Sequence, residues 1–155
     1  MKHAVLLLLF ALAAPFCDLG AQNIALGERV PEVKNPVWLD GHQPAQAPTT
    51  YIEFYHSSNK TSAASLEQLK KLSDKSGAKL RVIVVAKEPA DKVGPLLRPY
   101  LSPRMAVALD TSGKGFAAFG VTYVPFGVLI DGKNRALWMG NSLQMNEQLF
   151  QKITR

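Results

Sequence analysis

The sequence predicts an α/β fold, a three-layer sandwich in which a mixed central sheet is flanked by helices. Three observations carry this. Strand-like and helix-like segments alternate through the first half, which implies parallel strands joined by crossover helices. Leu80–Ala86 (LRVIVVA) is an apolar, β-branched run, the mark of a strand buried on both faces. Asp131-Gly132-Lys133-Asn134 is a turn that brings Ala136–Met139 back antiparallel to Gly127–Ile130, which gives the sheet an antiparallel edge.

The elements follow in chain order. Lys2 and His3 precede Ala4–Ala14 (AVLLLLFALAA), an apolar run of secretory length that is short for a bilayer span. Residues 1–21 are read as a signal peptide cut after Ala21, with the product secreted or periplasmic and without a membrane span after cleavage. A retained anchor and a lipid on Cys17 are the alternatives. Phe16 stands against the lipid, because a small residue belongs before a lipidated cysteine. Cys17 is the only cysteine, so no intramolecular disulfide can form.

Residues 22–49 hold Pro31, Pro36, Pro44 and Pro48 and read as an irregular leading segment, with Val37-Trp38-Leu39 as a short packed element. Residues 50–155 form the folded domain. Thr50–Tyr55 is a buried strand. Ser57–Thr61 is a loop of capping residues. Ser62–Ser76 is a helix carrying Leu66, Leu69 and Leu72 on one stripe, and Gly77 stops it. Ala90–Tyr100 is a helix weakened by Gly94, Pro95 and Pro99. Met105–Leu109 is a short strand and Lys114–Phe119 a short helix. Asn141 or Ser142 caps a last helix with Leu149, Phe150 and Ile153 inward.

The formal net charge of +6 is moderate. It suits an anionic surface or an acidic partner, and equally a soluble protein with scattered lysines. No basic run is interleaved with aromatics, which argues against nucleic acid. Beyond the signal only His42 and His56 offer imidazole ligands, far apart and without cysteines, so neither a metal nor a cofactor is expected.

Three patches carry a resemblance. Ile52-Glu53-Phe54-Tyr55-His56 is similar to a strand that runs into a W-C-x-x-C loop. Gly120-Val121-Thr122-Tyr123-Val124-Pro125 is similar to G-V-x-x-x-P. Val128-Leu129-Ile130-Asp131-Gly132-Lys133 is similar to the strand and turn that follow that proline. Together they resemble the TlpA-like group of the thioredoxin superfamily, the secreted redoxins, over roughly Ala25 to Arg155. The resemblance implies a thioredoxin-like three-layer sandwich and a cis proline at Pro125. It also implies that the backbone of Val124 is exposed to pair with an extended peptide. Asn59 then falls at the nucleophilic cysteine and Ser62 at the resolving one. Thiol–disulfide exchange needs an attacking thiolate and a second sulfur, and this pair supplies neither.

The expected site is therefore a groove rather than a catalytic centre. Its candidates are Ser58, Asn59, Lys60 and Ser62 in the loop, and Tyr123, Val124, Pro125 and Phe126 around the proline. The expected partner is an extended peptide or protein segment. The alternative is a thiol–disulfide oxidoreductase-related role, TlpA-like, with a partner supplying the thiol. The helix start after Ser58 also permits an anion site, although plain capping explains the same residues. A Ser–His hydrolase at Ser58 or its neighbours and His56 would need an orienting third group and an oxyanion hole, and no G-x-S-x-G elbow is present. Trp38, Tyr55 and Trp138 are read chiefly as core, and Tyr123 and Phe126 as exposed contacts.

Overall fold

Strand β2 (Thr49–Tyr55) is buried at every position after its first and takes the centre of a six-stranded sheet, with a neighbour on each side. β3 (Leu80–Ala86) pairs parallel with it, and β5 (Phe126–Asp131) pairs antiparallel on its other side. Beyond β3 lies β4 (Met105–Leu109), parallel, and then β1 (Val37–Trp38), antiparallel. Beyond β5 lies β6 (Ala136–Asn141), antiparallel, with a register shift at Leu129/Ile130. The order is β1-β4-β3-β2-β5-β6. The computed structural model describes residues 24–155; the expected signal peptide, its cleavage site and Cys17 lie outside the described residues.

Helices cover both faces. α1 (Lys60–Ser76), α2 (Ala90–Leu97) and α4 (Glu147–Ile153) lie on one, where Leu66, Leu69, Leu72, Val93, Leu97 and Phe150 pack against Tyr51, Val82, Val84 and Leu129. α3 (Lys114–Ala118) lies on the other, where Phe116 and Phe119 meet Ile52, Phe54, Val85 and Val128. Alternation along β2 divides its side chains between these two cores: Tyr51 goes to the first, Ile52 and Phe54 to the second.

Several boundaries moved from the sequence reading. α1 starts two residues early, at Lys60, because Asn59 rather than a later hydroxyl caps it: Asn59 Oδ1 accepts from the Thr61 N–H at 2.9 Å. Gly77 ends the helix at φ 53, a conformation that glycine adopts without a Cβ clash. The second helical stretch keeps its α form only to Leu97 and finishes as a 3-10 turn over Arg98–Tyr100. The cap of α4 is Asn146; Asn141 instead caps a 3-10 turn at Ser142–Gln144. The leading segment contributes β1, and Val30 enters the core beside Ile52.

Candidate functional site

Two segments from distant parts of the chain meet at one end of the sheet: the loop between β2 and α1, and the loop before β5. Among the described residues, one side chain hydrogen-bonds them together. The Nδ2 of Asn59 donates to the Val124 carbonyl at 2.7 Å, while its Oδ1 takes the Thr61 N–H and the Thr61 hydroxyl. One carboxamide thus caps the helix and ties down the loop. The peptide between Val124 and Pro125 is cis. The Pro125 carbonyl accepts from the Ser142 N–H at 3.4 Å.

The groove expected between these two loops is therefore bridged rather than open. The space beside it lies to one side, a cleft of about 170 Å³ lined by His56, Lys87, Phe116, Tyr123 and Val124, among others. Tyr123 is 49% exposed and meets Phe126 edge-on at 5.4 Å. Phe126 leans back onto Phe54. Ser58 and Lys60 are exposed, Asn59 is half-buried and Pro125 is buried. Ser62 is fully buried, and its hydroxyl has no hydrogen-bond partner among the described residues. It cannot touch a docked partner, which corrects its place among the contact residues. Trp38 lies on β1, four strands from β5, and Trp138 stacks on Tyr51. Neither belongs to the cleft.

Two acids complete the site, and neither was singled out in the sequence. Glu88 follows β3 and turns inward. Its carboxylate accepts from the Ser57 N–H at 2.8 Å and the Ser57 hydroxyl at 2.5 Å, and pairs with Lys92 at 2.6 Å. Burial disfavours its charge, but Lys92, Ser57 and the nearby His56 outweigh that and hold its pKa at about 2. The His56 Nδ1 accepts from the Ser58 N–H at 3.2 Å and lies 2.8 Å from the Ser58 hydroxyl, while its Nε2 sits 3.9 Å from Glu88. A backbone N–H can only donate, so this contact marks Nδ1 as the acceptor nitrogen. The Ser58 contacts span two residues and close a local turn.

Glu53 is wholly buried under α1. Ser65 donates to its Oε1 at 2.6 Å, Ser142 donates to its Oε2, and Tyr51 donates to the Ser142 hydroxyl at 3.0 Å. Burial pushes its pKa up to about 8, against the opposing pull of the two serine hydroxyls. When Glu53 is protonated its O–H can donate to the Ser65 hydroxyl, which in turn reaches the Ser62 carbonyl at 2.9 Å. Only its place between Ile52 and Phe54, as the one charged residue on a buried strand, signals it in the sequence. Among the described residues, no group of three or more His, Cys, Asp or Glu gathers in a way that suits a metal ion.

The chain has the thioredoxin-like fold. A thioredoxin-like protein solved in its oxidized form matches with a TM-score of 0.67 at 19% identity, over 84% of this chain and 97% of that one. The pneumococcal exposed lipoprotein thioredoxin Etrx1 of Streptococcus pneumoniae gives 0.63 at 18%, over 77% and 96%. DsbF of MTB, solved in mixed oxidized and reduced forms, gives 0.63 at 17%, over 77% and 91%. No protein-family model matches the chain, and no curated protein matches it by sequence. At these identities the likeness concerns the thioredoxin-like fold. Among the described residues no helix is long and apolar enough to cross a membrane.

Proposed function

We propose that this chain is a secreted or periplasmic binding or accessory module on a thioredoxin-like scaffold, without redox chemistry of its own. One observation carries the reading. The position that resembles a redoxin's nucleophilic cysteine holds Asn59, whose carboxamide is consumed in capping α1 and fixing the Val124 carbonyl. A thiolate is the nucleophile of disulfide exchange, and the sequence has no cysteine after Cys17. What the site retains is surface: exposed Tyr123, half-buried Phe126 and the cleft beside Val124. An extended peptide or partner segment docks there. The export assignment rests on the Lys2–Ala14 pattern, in keeping with the exposed lipoprotein among the similar structures.

The test is an NMR titration of isotope-labelled protein from Gln22 onward with extended peptides. The reading expects amide shifts confined to residues 56–60 and 121–126. Shifts elsewhere, or none with any peptide, would overturn it. A second reading is favoured by neighbours solved in oxidized or mixed redox forms. Here the chain assists thiol–disulfide exchange between partners that supply both sulfurs. It expects the protein to speed exchange between a dithiol and a disulfide held by two other proteins.

A further inference from the structure

The cleft beside Val124 is unevenly charged. Lys87 is exposed at its mouth, with its ammonium 4.5 Å from the centre of the Phe116 ring, and no carboxylate pairs with it among the described residues. His56 forms another part of the wall. Lys60, exposed at the start of α1, likewise has no acidic partner among the described residues. The nearby acids are engaged elsewhere. Glu88 is buried and neutralised by Lys92 at 2.6 Å. Asp110 turns to α3, where it accepts the Phe116 N–H at 3.1 Å.

Around Pro125, the Val124 carbonyl is taken by Asn59 and the Pro125 carbonyl by Ser142. In the Tyr123–Val124 peptide, neither the Val124 N–H nor the Tyr123 carbonyl has a hydrogen-bond partner among the described residues. A docking segment meets this peptide, the Lys87 ammonium and the exposed Tyr123 ring.

We infer that the cleft selects an acidic extended segment, one that places an apolar or aromatic side chain against Tyr123 and a carboxylate at Lys87. This rests on the binding-module reading and names the chemistry of its partner. The apolar side chain supplies contact area, and the carboxylate answers the surplus positive charge. The free Val124 N–H pairs with a carbonyl of the segment, as in strand addition.

The experiment uses three fluorescein-labelled pentapeptides, Ala-Glu-Phe-Glu-Ala and its counterparts with Gln or Lys in place of both Glu. Each is titrated by anisotropy against the protein from Gln22 onward and against its Lys87→Glu variant. The expected result is binding of the Glu peptide about tenfold tighter than the Gln peptide, weaker still for the Lys peptide, and weakened by added salt. In Lys87→Glu the order of Glu and Lys peptides should reverse. Equal binding of the Glu and Gln peptides overturns the acidic preference and leaves the groove reading standing. An unchanged order in Lys87→Glu likewise overturns it, because the charge then resides elsewhere. Absence of binding by all three peptides overturns both.

Discussion

The carboxamide of Asn59 joins the start of α1 to the carbonyl of Val124 across 2.7 Å, between residues 65 apart in sequence. One side chain serves two loops, so its loss should be felt twice. An N-cap is worth about 1 kcal/mol, and a hydrogen bond of this kind about 1 kcal/mol more. Asn59→Ala should destabilise the protein by about 2 kcal/mol in urea unfolding. Asn59→Asp keeps the cap acceptor but loses the donor to Val124, so it should keep α1 while speeding hydrogen exchange in residues 121–124. An Asn59→Asp variant as stable as wild type, with unchanged exchange in residues 121–124, would show that the contact with Val124 contributes nothing.

Glu53 makes stability depend on pH. Its folded pKa, about 8, lies above its ordinary value of 4.5. The native state holds a proton that the unfolded chain releases between those values. Stability should therefore be greatest below about pH 4.5 as far as this group is concerned, fall as pH rises through the window, and level off above 8. The slope is at most about 1.4 kcal/mol per pH unit. Glu53→Gln should flatten that limb. A wild-type profile flat from pH 5 to 8 in urea melts would contradict the assignment.

Glu88 works in the opposite direction. Its folded pKa of about 2 lies below 4.5, so its contribution is present above pH 4.5 and is lost as pH falls toward 2. Glu88→Gln should be less stable than wild type at pH 7 and should converge with it near pH 2. Parallel profiles across that range would argue that the Lys92 and Ser57 contacts do not favour the ionised form.

Gly127 lies under the Tyr51 ring. A Cβ there would stand 1.9 Å from the Tyr51 Oη and 2.4 Å from its Cζ. The clash involves the ring as well as the hydroxyl, and the ring is fully buried. Gly127→Ala should cost at least about 3 kcal/mol, seen as a lowered urea midpoint, with little relief from Tyr51→Phe. Tyr51→Leu should restore part of the loss. Tolerance of Gly127→Ala alone would show that β5 and Tyr51 do not sit as described.

The sheet was more legible in the sequence than the site. β3 spans the same residues, Leu80–Ala86, as the apolar run, because a strand buried on both faces leaves a nearly continuous hydrophobic signature, interrupted here at Arg81. The start of α1 was blurred because Ser57, Ser58, Asn59, Thr61 and Ser62 all suit a cap, and only the contact between Asn59 and Thr61 decides among them. The last helix was expected to be capped at Asn141 or Ser142; Asn141 caps a 3-10 turn instead, and Asn146, not foreseen, caps α4. The polar network was hidden for another reason. Ser57 meets Glu88 31 residues away, and Glu53 meets Ser142 89 residues away. Such pairings depend on tertiary packing, which local periodicity does not encode. Of the two aromatics expected beside the proline, Tyr123 is 49% exposed, while Phe126 is half-buried against Phe54, a packing contact that local sequence does not encode.

The most direct measurement is insulin reduction by dithiothreitol, followed by turbidity, with the protein from Gln22 onward and with its Asn59→Cys, Ser62→Cys double variant. The account predicts that the wild-type protein adds nothing to the buffer rate, while the double variant forms an intramolecular disulfide and accelerates the reaction. Acceleration by the wild-type chain, which carries no sulfur at either position, would contradict it.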